Sequence, residues 1–412
     1  MTSRAERFPV GAGVDLGELD EDAPTVLRRL RDSEPVSWVA ALDGWLVTSY
    51  DAAVAVMRDS RTFTVDDPRF STARVVGRSM LSTDGAEHAV HRSPFVAPFR
   101  PAQVQRRFGE DVTRLADELV ERFRDDGRVE LRSAFAGPLS VAVVAEVLGL
   151  DASDAGTVLG WYSAIVAAVT GMGSDGHVPE PAREAMTALA GRVHDGLGRD
   201  QLLGVAARSL TEEQVVSNAA VMMFGGIETT EGMILNAVGH LLDEPGLAGQ
   251  VVHDPAYAVA VVEESLRMQP AAAVVDRYAT ADVRLGDADV ARGDLVRVSL
   301  TGANRDPAVF AAPDVFDPGR PNLRSQLAFA RGPHVCVAMD LARLEAQVAV
   351  RTLAALPDLR LVAAAAPRGL VFRKPASLVV SWGNAPGDAA EGDPGDDRGN
   401  ADPCLAVDPT HH

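Results

Sequence analysis

Between Ser217 and Leu242 the chain is almost continuously apolar, a run too long for one strand, so it reads as a single long helix. Its middle works against its ends. Gly225 and Gly226 stand side by side, each costing roughly 1 kcal/mol against alanine in a helix interior, and the β-branched pair Thr229 and Thr230 adds to the penalty. A helix that served packing alone would avoid them. The pattern makes sense for a helix that opens a groove for a bound molecule and places a hydroxyl beside it; a glycine packing notch with a polar patch is the alternative reading.

Around that helix, apolar periodicity predicts further helices over Ala102–Asp125, Leu139–Leu150, Pro181–Leu197 and Asp340–Leu356. Shorter β-branched runs predict strands at Pro35–Val47, Val283–Leu285, Leu295–Leu300 and Leu378–Ser381. The expected class is mainly α with small β-sheets. No Gly/Ser-rich or charged linker divides residues 1–383, which read as one domain. Residues 384–412 carry seven acids against one arginine, six of the nineteen net negative charges, with abundant Gly and Pro, and read as a disordered acidic tail.

A second feature lies in Phe329-Ala-Arg-Gly-Pro-His-Val-Cys336. A lone sulfur follows a glycine-broken loop and precedes an apolar helix, where the helix dipole and a bound metal both favour the thiolate, so Cys336 reads as cheap to ionise. Gly332 permits a backbone conformation other residues resist, and Phe329 offers an aromatic cover. A free buried cysteine is the plainer reading of the sulfur alone. Glu264 and Arg267 stand three apart on a predicted helix, close enough for an ion pair, and Arg320 follows in Phe316-Asp-Pro-Gly-Arg320.

Together these residues resemble the cytochrome P450 superfamily. Phe329, Gly332, His334 and Cys336 fall on its haem-binding loop, and Gly225, Gly226, Glu228 and Thr229 on the signature of its oxygen-binding helix. The resemblance spans roughly Leu16 to Gly383. It implies a P450 fold with the long helix crossing haem b, and Cys336 as the iron ligand. It also implies that Glu264, Arg267 and Arg320 form a structural triad, and that His88, Arg92, Arg277 and His334 are partners for the haem propionates. Thr229 and Glu228 would be the catalytic acid-alcohol pair that steers protons. His91, one residue out of register with His88, reads as a surface histidine. The implied reaction is oxygenation of a largely apolar small molecule in bacterial secondary metabolism, with electrons from NAD(P)H through a ferredoxin reductase and a ferredoxin. Atypical P450 chemistry, such as ring coupling, and a non-catalytic haem carrier are the alternatives. Ala330 and Ala338 stand where the family commonly has glycine, and Pro333 removes a backbone donor near the sulfur.

The remaining sequence narrows partners and compartment. The net charge of −19 argues against nucleic acid. With no long apolar span and no signal region, the expectation is a cytoplasmic protein without membrane insertion. Two cysteines, Cys336 and Cys404, do not make a disulfide framework. Lys374 is the only lysine, a bias that looks like a GC-rich bacterial genome. Arg100, Arg106, Arg107, Arg331 and Arg343 suggest a basic patch for an acidic ferredoxin. Substrate is expected to meet Phe63–Ser82, a connector from Trp161 to Pro181, Val221–Thr229, Ala271–Val275 and the turn near Val371 and Phe372. Gly171-Met-Gly-Ser-Asp-Gly176 matches a dinucleotide fingerprint only formally, because prolines interrupt the helix it requires.

Overall fold

The computed structural model describes residues 3–149, 155–170, 177–196 and 202–383; the acidic tail and the Gly171–Gly176 segment lie outside them. The apolar run forms one unbroken helix, Glu212–Asp243, longer than its apolar stretch. Thr211 starts it through a capping box, its hydroxyl accepting from the Gln214 N–H while the Gln214 side chain accepts from the Thr211 N–H, which satisfies two of the helix's orphan donors. Apolar residues around most of its circumference are buried, so other helices pack on several sides. Gly137–Val147, Glu180–Gly196, Tyr257–Met268 and Met339–Ala354 do so.

Three small sheets flank the helices among the described residues. The largest runs in the order Val36–Val39, Gly44–Val47, Leu295–Ser299, Val274–Ala279, Phe63–Thr64. Its second and third strands are parallel and the other pairings antiparallel. Pro35–Val47 is therefore two strands joined by a turn at Ala40–Leu42, where Asp43 adopts a left-handed φ of 46°. The strands Val283–Leu285 and Leu378–Ser381 match the sequence expectation. The helix expected over Ala102–Asp125 ends at Glu121, followed by a 3-10 turn. Trp161 to Thr170, expected as a connector, is helical, because its apolar residues pack into the main core.

One polar knot sits inside this frame. Arg267 and Glu264 are both fully buried and paired at 2.7 and 2.8 Å. The Arg267 guanidinium also donates to the carbonyls of Asn304, Pro313 and Val315, and Arg320 donates to Glu264 at 3.3 Å. Every lobe of the two charges finds a partner, the condition under which a buried ion pair is tolerable. The knot ties the Tyr257–Met268 helix to the long segment leading toward Cys336.

Candidate active site

The Cys336 loop is shaped by its own backbone. The Cys336 N–H donates to the Phe329 carbonyl at 2.9 Å and the Val335 N–H to that of Gly332 at 3.2 Å. Gly332 has φ +76°, and a Cβ there would lie 2.4 Å from the Met57 carbonyl oxygen. Only glycine lets the loop close on the end of the Tyr50–Arg58 helix. Ala330 keeps the conformation glycine would favour, at φ 59°, for which a Cβ costs roughly 1–2 kcal/mol. The guanidinium of Arg343 stacks on Phe329, 4.6 Å from the ring centre.

The following helix begins at Met339, three residues beyond the sulfur, and the protein packed around Cys336 pushes its thiol pKa up. The Ala338 N–H and the charges of Arg92 and Arg343 offset that only in part. A cation bound at the sulfur would favour the thiolate.

The expected polar residues converge beside the loop, and an acid that sequence reasoning missed organises them. Asp84 precedes the Gly85–Val96 helix and accepts from the ring of His334 at 2.8 Å, the Thr64 hydroxyl at 2.7 Å and the Val65 N–H at 2.9 Å. Burial works to raise its pKa, but these hydrogen bonds together hold the carboxyl below its ordinary range. The His334 ring lies 4.4 Å from that of His88. Burial, then the charges of His334 and Arg92, depress His88 to about 4, which leaves it neutral near pH 7. Its Nε2 is buried without a hydrogen-bond partner among the described residues. Arg92 donates to the Val335 carbonyl at 2.7 Å, and buried Arg277 donates to the carbonyl of Asp276, with Asp84 close enough to affect its charge. An orphaned histidine nitrogen, two arginines and a second histidine around one thiol are a donor set that fits a haem and its two carboxylates. His91 is not a surface residue. It is 1% exposed and accepts from Asn218, on the second turn of the central helix, at 2.8 Å.

On the central helix the paired glycines part company. Gly226 packs against the Gly137–Val147 helix, where a Cβ would lie 2.7 Å from Val144 Cγ2, whereas Gly225 meets nothing within 4 Å. Gly225 therefore borders open space, and Gly226 serves close approach of two helices. The Thr229 hydroxyl donates to the Gly225 carbonyl at 2.5 Å. Glu228 is buried, with Lys374 Nζ 2.7 Å from one oxygen and the Tyr162 hydroxyl donating to the other. Phe224 and Phe372 meet edge to face at 5.3 Å, and the Ala273 N–H donates to the Val371 carbonyl, so three segments expected around substrate do come together. The basic patch shrinks. Arg343 is paired with Glu263 and Arg331 donates to the carbonyls of residues 324–326, leaving Arg100, Arg106 and Arg107 exposed.

A helix-rich fold with a glycine-shaped cysteine loop and a long helix that carries a buried acid beside a hydroxyl points to the haem-thiolate class. Comparison with known proteins agrees: the Cytochrome P450 family model matches residues 200–354. Cytochrome P450 107B1 of Saccharopolyspora erythraea is 31% identical over 376 residues, covering 84% of this chain and 90% of that protein. The mycinamicin IV hydroxylase/epoxidase of Micromonospora griseorubida is 32% identical over 381 residues, covering 86% and 94%. The solved structure of P450BioI in complex with an acyl carrier protein bearing hexadec-9Z-enoic acid superposes with a TM-score of 0.81 at 26% identity, covering 88% of this chain and 98% of that one. The chain belongs to the cytochrome P450 family. It is an oxidoreductase of the monooxygenase type with a haem-iron cofactor and electrons from redox partners, which decides against a non-catalytic carrier. Among the described residues no helix is long and apolar enough to cross a membrane.

Proposed function

We propose that this chain, as one catalytic domain over residues 1–383, hydroxylates or otherwise oxidises a largely apolar small molecule in bacterial secondary-metabolite biosynthesis, in the cytoplasm. Relatives with such names support the setting: the polyketide-biosynthesis P450 PksS of Bacillus subtilis and the nocardicin C N-oxygenase of Nocardia uniformis. Cys336 would hold the iron, Phe329 cover the loop, Gly225 give the ring room, and His88, Arg92, Arg277 and His334 bind the propionates. Reductive cleavage of dioxygen is the chemistry a thiolate-held haem supplies when bound. The protein's own part is positional: Thr229 presents a hydroxyl above the glycine notch, and Glu228 supplies the acid behind it. Ala271–Val275, Val371, Phe372 and Phe224 form an apolar wall with few charges, which suits a bulky apolar substrate. Electrons would come from NAD(P)H through a ferredoxin reductase and a ferredoxin docked on Arg100, Arg106 and Arg107.

The observation that carries this reading is the buried acid and hydroxyl in one helical turn. Burying Glu228 costs free energy that apolar packing would not demand. Thr229→Ala should keep the reduced-plus-CO absorption of a thiolate-bound haem. With a surrogate ferredoxin, its reductase and NADPH, the hydrogen peroxide formed per NADPH should rise severalfold. An unchanged yield removes Thr229 from the proton path.

A further inference from the structure

The single lysine of the sequence is spent on the central helix. Lys374 sits on the turn that carries Phe372, pinned by paired backbone hydrogen bonds with Arg368 at 3.2 Å. Its side chain is 12% exposed, with Nζ 2.7 Å from Glu228 and 2.9 Å from Glu231. Glu231 is a second buried acid that the reading above does not use. It lies three residues after Glu228, on the same face of the helix, and its Oε1 also accepts from Arg132 Nε at 2.6 Å. Two carboxylates so placed repel each other, and the ammonium between them is what makes the pair tolerable. Glu228, Lys374, Glu231 and Arg132 form a chain of contacts that ends at a guanidinium whose side chain is 42% exposed.

The consequence falls on Glu228. One of its oxygens is held by Lys374 and the other accepts from Tyr162, on the Ala155–Thr170 helix. Thr229 donates to Gly225 instead. The acid assigned to proton steering is thus clamped between a helix over the site and the turn carrying Phe372. We propose that Lys374 is a positioning residue that sets the orientation of Glu228, and that Glu231, braced by Arg132, holds Lys374 in place. This rests on the assignment of Glu228 and Thr229 to proton steering.

Because the chain has one lysine, its reactivity can be read at a single site. In the haem-loaded full chain, acetylation of Lys374 by N-hydroxysuccinimidyl acetate, followed by peptide mass spectrometry, should be slow and should accelerate at least tenfold in Glu231→Gln. Lys374→Met should keep the reduced-plus-CO absorption but at least double the peroxide formed per NADPH. Lys374→Arg, which keeps the charge but not the compact ammonium, should bring the yield only part of the way back to wild type. Unaltered acetylation in Glu231→Gln overturns the bracing role. A wild-type peroxide yield in Lys374→Met, when Thr229→Ala raises it, overturns the positioning role and leaves the proton path standing. Wild-type yields in both variants overturn the path itself and the inference with it.

Discussion

Gly332→Ala tests whether the cysteine loop is held as described. Two costs arise together. The residue sits at φ +76°, where adding a Cβ costs roughly 1–2 kcal/mol. That Cβ would also lie 2.4 Å from the Met57 carbonyl oxygen and 2.9 Å from the Arg58 Cα. Both are backbone atoms that no side-chain rotation can move, so overpacking adds about 1–3 kcal/mol. The stiffer unfolded chain returns about 0.4–1 kcal/mol. The net expectation is a loss of roughly 1–5 kcal/mol, to be read as a lower urea midpoint by tryptophan fluorescence. Haem-loaded protein should also show a weaker reduced-plus-CO band, because the strain falls four residues from the sulfur. Gly191→Ala is the control of opposite sign, since a Cβ there meets nothing within 4 Å inside the Glu180–Gly196 helix and alanine is favoured in a helix by up to about 1 kcal/mol. If Gly332→Ala unfolds at the wild-type midpoint with an intact band, the loop geometry is wrong.

Three other perturbations probe separate parts of the molecule. Arg267→Ala leaves Glu264 buried with only Arg320 as a cation, a change expected to cost about 3–5 kcal/mol; yield of folded protein and urea midpoint check it, and a loss below 1 kcal/mol would contradict the knot's structural role. Glu146 is raised to about 7 by burial and by its neighbour Asp111. Its folded form therefore keeps a proton that the unfolded chain releases above its ordinary value of 4.5, and the stability present below pH 4.5 is lost as pH rises from there through about 7. Glu146→Gln should flatten that part of the stability-against-pH curve, and an unchanged slope refutes the assignment. Reversing the charges of Arg106 and Arg107 should slow electron transfer from a surrogate ferredoxin and weaken its salt dependence, and rates equal to wild type at both low and high salt would exclude that face.

What could be read in advance was local. The central helix, the Glu264–Arg267 pair and the Phe329–Cys336 loop each announce themselves through spacing within a dozen residues, because helix periodicity and turn chemistry are properties of neighbouring positions. Residues whose partners lie far along the chain gave no comparable signal. Asp84 holds His334 across 250 positions, and His91 accepts from an asparagine 127 positions away. The strand Gly44–Val47 pairs in parallel with Leu295–Ser299, a choice no local pattern dictates. Of two adjacent glycines with the same propensity, only the neighbouring Val144 distinguishes Gly226 as a packing contact.

Lys374 shows the same limit at the site itself. Within its own segment it looks like the remnant of a compositional bias, one lysine among 38 arginines. Its meaning comes from the approach of the Arg368–Lys374 turn to a helix more than a hundred residues earlier, where Glu228 and Glu231 already present two buried oxygens. An arginine there would bring a planar fork of five donors, suited to gripping one carboxylate with two parallel bonds, whereas an ammonium is a compact charge that sits between two acids on one helix face. Composition elsewhere in the chain favours arginine throughout, and the lone exception falls where one compact charge meets two buried acids.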